Sequence, residues 1–257
     1  MCPRPLVRVE KVFFVADRKG AGLEIGPSHN PLAPKRSGYD VKILDHASAG
    51  DLREKYTGHG VDLGAIEEVD YVWKGEPLQE LIGKTACFDW IIASHVMEHV
   101  PDLLSFLQQC SALLKPMGVL SLVVPDKRYC FDLYNRISTT GDVLDAFHQK
   151  RVRPTPGAVF DQYANHANIN GAISWDAATK GPVSLGYSLE QAQRHWELAL
   201  GTDAYMDIHC WRFTLNSLRL LLHDLKALGL IDLGIKVDFA TDGCEFYASL
   251  CKDPGGL

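Results

Sequence analysis

Short unbroken apolar runs alternate along this chain with stretches whose apolar residues recur three and four apart, the signature of buried strands between amphipathic helices. Strands are predicted near 23–26, 41–45, 69–73, 88–94 and 119–124, with helical segments between them. The clearest helix carries Leu103, Phe106, Leu107, Cys110, Leu113 and Leu114. It should stop at Lys115-Pro116-Met117-Gly118, because Pro116 cannot continue it and Gly118 tolerates a turn conformation. Past residue 126 the alternation breaks. Residues 127–210 are rich in Pro, Gly, Asn, His and aromatics, with short helical pieces at 138–150 and 188–200. A long helix follows, with Thr214 as N-cap, Leu218, Leu221, Leu222, Leu225 and Leu228 on one face, and Gly229 at its end. Two last strands, 235–240 and 245–251, meet across Thr241-Asp242-Gly243-Cys244, a hairpin with an Asp-Gly turn signal. The class is α/β.

The first strand runs as Leu23-Glu24-Ile25 straight into Gly26-Pro27-Ser28-His29-Asn30. A glycine at the carboxyl end of a first parallel strand lets the backbone approach a nucleotide-like ligand in the crevice that opens there. About 20 residues further on, the second strand ends in Asp45, placed to accept hydrogen bonds from ribose hydroxyls. A dinucleotide fingerprint would need two more glycines after Gly26, where Ser28, His29 and Pro31 stand instead; Gly20 and Gly22 precede the strand. A nicotinamide oxidoreductase is therefore poorly supported, whereas a ligand with a ribose and no pyrophosphate, such as S-adenosylmethionine, fits.

Composition narrows the partners. With 257 residues, 46% hydrophobic and 23% charged, the chain can bury a full core as a single domain over 1–257. A net charge of −6 speaks against nucleic acid, whose phosphates call for a basic face. Seven cysteines, at 2, 87, 110, 130, 210, 244 and 251, form no C-x-x-C pair and read as reduced thiols of a cytoplasmic protein. Charges interrupt Val9–Val15, so no signal-peptide core is expected, and no run approaches a membrane span. A homodimer is compatible with all of this.

The ordered set formed by the Glu24–Gly26 turn, Asp45, the strand Phe88–Ser94 leading to Glu98-His99 and a helix, and "LLKPMG" before the strand 119–124 closely resembles a class I S-adenosylmethionine-dependent methyltransferase of the methyltransferase-11/12-like kind. The resemblance covers roughly residues 20–126 and the C-terminal third. It implies a Rossmann-like seven-stranded sheet with an antiparallel last strand, helices on both faces, and a substrate-binding insertion, 127–210, after the fifth strand. It also implies a small-molecule or glycan acceptor of the kind met in bacterial glycan or metabolite biosynthesis. Ser28 and Asn30 depart from the family's glycines, which leaves open a non-catalytic methyltransferase-like partner or scaffold of a glycan-assembly enzyme.

Within that frame each residue carries two readings. Glu24 orients the turn amides and the donor's ammonium, or is a solvated strand-end acid; Gly26, Pro27 and Ser28 line the donor. Asp45 holds the ribose or caps a helix. Val72 and Trp73 fall where such folds meet the adenine, although Trp is often core. Ser94 and His95 emerge beside the methyl donor, where His95 is a catalytic candidate alongside His99 or a structural hydrogen-bonder. Glu98 and His99 begin the next helix, where His99 takes an acceptor proton or packs under the helix. Asp126, Arg128 and Tyr129 close the fifth strand opposite the donor. Arg128 could clamp an anionic acceptor, or pair with Asp126 or Asp132. His166 and His209 are expected as rim hydrogen-bonders. With no H-x-H or H-x-x-x-H spacing among Asp161, His166, His195, Asp207 and His209, no metal is expected.

Overall fold

The computed structural model describes Arg4 and residues 6–252, so Cys2 lies outside it. Strands β1 (Gly22–Ile25), β2 (Val41–Asp45), β3 (Tyr71–Val72), β4 (Phe88–Ser94) and β5 (Leu114–Pro125) run parallel. A separate small ribbon pairs β6 (Ala167–Ile169) with β7 (Val183–Leu185). The hairpin of β8 (Leu233–Asp242) and β9 (Glu245–Lys252) completes the main sheet, with β9 antiparallel to both β5 and β8. The order is β3-β2-β1-β4-β5-β9-β8, the Rossmann-like seven-stranded arrangement expected, with the antiparallel strand lodged beside β5. The helices are α1 (Arg8–Val12), α2 (Ala49–Tyr56), α3 (Leu78–Ile82), α4 (Leu103–Leu113), α5 (Thr140–His148), α6 (Pro156–Ala164), α7 (Leu189–Leu200) and α8 (Leu215–Ala227). Among the described residues no helix is long and apolar enough to cross a membrane.

Because strand side chains alternate between faces, β4 feeds two cores at once. Ile91 and Ala93 join the larger one with α4, α5 and α8; Trp90 and Ile92 join the smaller one with Val12, Phe13, Leu32 and Ala33. In α4 the positions Leu103, Leu104, Phe106, Leu107, Cys110 and Leu113 are all buried, each large side chain contributing about 1.5–3 kcal/mol of apolar transfer. Thr214 caps α8 through the Ser217 amide, and Gly229 takes a left-handed φ of 70° just past its end, as the sequence indicates.

Three boundaries differ from expectation. The crossover from β1 to β2 holds no α-helix, only a 3-10 turn at Lys35–Ser37; the buried Leu32 and Ala33 cover the sheet in its place. Glu98 and His99 sit in a turn at 97–99, ahead of α4, whose N-cap is Asp102. α4 passes directly into β5 at Leu114, and Met117 rather than Gly118 takes the left-handed conformation. The residue before Pro116 cannot stay helical, so the chain extends at once and its register against β4 shifts between Phe88 and Trp90.

Within 127–210, α5 lies with α4 and α8 and puts Val143 and Ala146 into the main core. α6 and α7 pack on each other around a separate cluster of Val159, Ala199 and Ile208.

Gly26 is fixed by two demands at once: its φ is +64°, and an added Cβ would stand 2.8 Å from Val96 Cγ2. Gly26→Ala should therefore lower unfolding stability by about 1–3 kcal/mol, read as a drop in denaturation midpoint at constant slope.

Candidate active site

The carboxyl ends of β1, β2, β4 and β5 lie side by side: Ile25 pairs with Leu44 and with Ala93, and Ser94 pairs with Val123. Gly26, Pro27, Ser28, Asp45, Ser94 and His95 thus share one edge of the sheet. After Gly26, the amide of Ser28 donates to Asp45 Oδ2 at 2.9 Å, and the His46 amide donates to Oδ1 at 2.7 Å. Asp45 is 1% exposed and anchors the turn; the cap of α2 is Ser48 instead. Ser28, with φ 52°, turns its Oγ inward, and neither that oxygen nor His29 Nδ1 finds a partner although both are buried. Buried polar atoms without partners are costly in a finished core. Ser28 Oγ, in the turn that joins Gly26 to the Asp45 carboxylate, suits a polar ligand, and this edge fits a ribose-bearing cofactor.

Glu24 differs from expectation. Its buried carboxylate accepts from the Leu32 and Ala33 amides, the latter at 3.0 Å, under the helix-less crossover rather than lying solvated. Burial pushes it up to about 7, against the pull of those two amides. Trp73 also turns inward: its Nε1 donates to the Glu76 carbonyl at 2.7 Å and its ring stacks on Phe106, while Val72 serves as the β3 partner of Asp45.

Where α1, the end of β4 and the start of β9 meet across β5, a polar knot forms. Arg8 donates through Nε to Glu245 Oε1 at 2.7 Å and through Nη2 to Ser94 Oγ at 2.8 Å. Tyr247 donates its hydroxyl to the same carboxylate at 2.5 Å, and His95 Nε2 lies 2.7 Å from Glu245 Oε2. Burial alone would raise Glu245, but hydrogen bonds from His95, Arg8 and Tyr247 and the Arg8 charge hold it at about 2. His95 keeps a φ of 54°, which aims its ring at this carboxylate. Ser94 and His95 are thus positioned, but by Arg8 and Glu245, which lie outside every sequence motif.

The third zone joins the 97–99 turn to the segment 205–211. The amides of Cys210 and Trp211 both donate to the Glu98 carbonyl, Tyr205 Oη donates to the His99 carbonyl at 3.0 Å, and Trp211 Nε1 donates to that of Val100 at 2.6 Å. This clamp sets His209 edge-on to His99, with ring centroids 4.7 Å apart. His209 Nδ1 sits 2.5 Å from Asp132 Oδ2, whose other oxygen accepts from Arg212 Nε at 3.0 Å and from Asn135. Burial would raise Asp132, yet His209 and Arg212 hold it far below the usual carboxylate range. His99 Nδ1 lies 2.8 Å from Asp207 Oδ1, close but out of line for a well-directed hydrogen bond. Burial would lower His99, but Asp207 and then Glu98 raise it above the ordinary imidazole value. Glu98 is fully buried, and neither carboxyl oxygen has a hydrogen-bond partner.

The residues that close β5 are committed locally. Asp126, buried, accepts from Arg128 Nε at 2.9 Å, Arg128 Nη2 at 2.6 Å and Thr241 Oγ1 at 2.6 Å. Arg128 is thus the structural partner of Asp126, its guanidinium lying over the Tyr129 ring, rather than an acceptor clamp. His166 stacks on Phe131 at 4.7 Å, and Phe131 in turn leans on His209. His209 is a buried wall of the site, not a rim group. Sequence reasoning missed Arg8, His29, Asp132, Arg212 and Glu245. His29 stood inside the Gly26 turn and Asp132 in the run after Asp126; Arg8, Arg212 and Glu245 meet the site from segments outside every motif.

Residues 6–225 match the family model of a methyltransferase domain. The human mitochondrial ubiquinone biosynthesis O-methyltransferase is 34% identical over 138 residues, 46% of this chain and 36% of that protein. The ubiquinone biosynthesis O-methyltransferase of Actinobacillus pleuropneumoniae serotype 5b is 56% identical over 41 residues, 14% of this chain and 18% of that one. The matches thus span well under half of these curated relatives. A Rhodobacter sphaeroides structure described as a putative Zn-dependent alcohol dehydrogenase superposes at TM-score 0.51 and 14% identity, over 97% of this chain and 91% of that one. That likeness shows the fold alone.

The Glu245 knot makes stability acid-sensitive. Its folded pKa of about 2 lies below the unfolded value of 4.5, so its contribution is full above about pH 5 and is lost as pH falls towards 2. Over that window the protein should lose about 3 kcal/mol through this group. In denaturant titrations at stepped pH, Glu245→Gln should flatten the curve there; parallel curves would contradict the assignment.

Proposed function

Because the chain belongs to the methyltransferase-domain family, we propose that it moves the methyl group of S-adenosylmethionine onto a hydroxyl of a small polar, sugar-like acceptor. One observation carries the reading: Ser28 Oγ, buried and unpartnered, stands in the turn that runs from Gly26 to the Asp45 carboxylate at the carboxyl edge of the sheet. Gly26 and Pro27 give the donor close backbone approach, Asp45 keeps free lone pairs for ribose hydroxyls, and Ser28 and His29 supply further polar contacts. Bound there, S-adenosylmethionine supplies an electrophilic methyl group and leaves as the neutral thioether.

In-line methyl transfer asks the protein mainly for position and for a sink for one proton. The wall formed by Glu98, His99 and His209, rising from the turn after β4, faces the place where β4 and β5 end. Its imidazoles, backed by Asp207 and Asp132, receive the proton that the acceptor hydroxyl gives up as the O–C bond forms and the S–C bond breaks. The flat Phe131–His166 pair beside it suits the face of a ring. Oxygen as the methylated atom is supported by the relatives, which are named O-methyltransferases. Cys87, Cys110, Cys130, Cys210 and Cys244 are free thiols, which supports a reducing compartment such as the cytoplasm.

Calorimetric titration with S-adenosylhomocysteine should show micromolar binding and NADH none. Asp45→Asn should weaken the former about tenfold or more, the scale of 1.5–3 kcal/mol for hydrogen bonds to a charged group. Absent binding, or an affinity unchanged in the variant, would overturn the donor assignment.

A further inference from the structure

We propose that Glu98, His99 and His209 form a binding site for a divalent first-row metal ion, zinc foremost. Each offers one ligand atom, and the three atoms lie within 4.8 Å of one another. Around a tetrahedral zinc with bonds of about 2.0–2.1 Å the donors stand about 3.3 Å apart, so side-chain torsions need close the cluster by about 1.5 Å at most. Two imidazoles and one carboxylate with a position left open is the donor set of catalytic zinc, and it suits other first-row ions as well.

Three independent features favour a cation over a plain polar cluster. Both Glu98 oxygens are buried without a hydrogen-bond partner; the nearest ring nitrogens, His95 Nδ1 at 3.6 Å and His99 Nε2 at 4.0 Å, are beyond hydrogen-bond reach. A carboxyl left in that state is costly unless a positive charge meets it. Each histidine, next, has a carboxylate at Nδ1: Asp132 on His209 and Asp207 on His99. That leaves Nε2 of each as the ligand atom, and an outer carboxylate is the usual support that orients a metal-binding imidazole. The clamp of Cys210 and Trp211 on the Glu98 carbonyl, finally, holds the two halves of the set together before any ion arrives.

The site stands on these contacts alone; its use in methyl transfer rests on the reading of the previous subsection. There, with both imidazoles taken up as ligands, the cation would replace them as the aid to deprotonation: it would draw in the acceptor hydroxyl oxygen and ease loss of its proton to water. The oxygen's electron pair would then form the bond to the methyl carbon as the sulfonium becomes a thioether. The ion is neither oxidised nor consumed.

The test uses the full chain stripped with a chelator and titrated by calorimetry with zinc chloride, then with manganese chloride, in the absence of donor and acceptor. One ion per chain should bind zinc at micromolar affinity or tighter and raise the melting temperature. Glu98→Gln and His99→Gln should each weaken binding 100-fold or more, while His223→Asn, on the exposed face of α8, leaves it unchanged. Glu98→Gln also removes the partnerless carboxylate, so its metal-free form should melt no lower than the unaltered metal-free protein. No saturable binding, or variants that bind as tightly as the original chain, would overturn the site. S-adenosylhomocysteine binding, measured separately, reports on the donor reading, so the two failures are distinguishable.

Discussion

The fold depends on the Glu24 carboxylate. A sheet with apolar side chains on both faces must be covered on both, yet the chain returns from β1 to β2 without a helix. Glu24 solves this by accepting the amides of Leu32 and Ala33, which presses those residues over Ile43 and Trp90 in the smaller core. Two charge-assisted hydrogen bonds of about 1.5–3 kcal/mol each offset much of the desolvation of a carboxylate in that position. With the crossover held flat, the Gly26 turn faces the crevice unobstructed, and Ser28 can take its left-handed conformation against Asp45. The donor edge is therefore a by-product of how one strand-to-strand connection is pinned.

The opposite wall is assembled differently. Asp132 gathers His209, Arg212 and Asn135, and the Glu98 carbonyl gathers Cys210 and Trp211. These two centres are linked through the short stretch 209–212, so the 97–99 turn, the β5 extension and the approach to α8 form one rigid body. The Arg8–Glu245 knot closes the remaining side. Each centre is a charged or carbonyl acceptor with several donors converging on it, which is how buried polar groups persist without loss of stability.

The architecture was legible because it rests on periodicity and end signals: the strand runs, the α4 stripe, Thr214, Gly229 and the Asp-Gly hairpin all act locally. The sequence pattern also located the site's edge, since Gly26 and Asp45 end their strands. It left Glu24 and Arg128 with two readings each, because their partners, the 32–33 amides and Asp126, are decided by backbone geometry that spacing does not encode. The histidines gave no metal spacing because the set is divided between residues 98–99 and 209, which only the clamp brings together. Arg8 and Glu245 were invisible for the same reason, being far apart in the chain.

That last pair has a consequence for how the molecule comes into being. Arg8 and Glu245 stand 237 residues apart in the chain, and Lys11 with Asp242 repeats the join. β9 also lies between β5 and β8, so the sheet stays split until the closing hairpin arrives. During synthesis the nascent chain would carry an unpaired β5 edge, and α1 would lack the β9 part of its seat, until the β8–β9 hairpin had left the ribosome. The crevice is therefore completed in a single late event, and a partly made chain has no half-working version of it to offer.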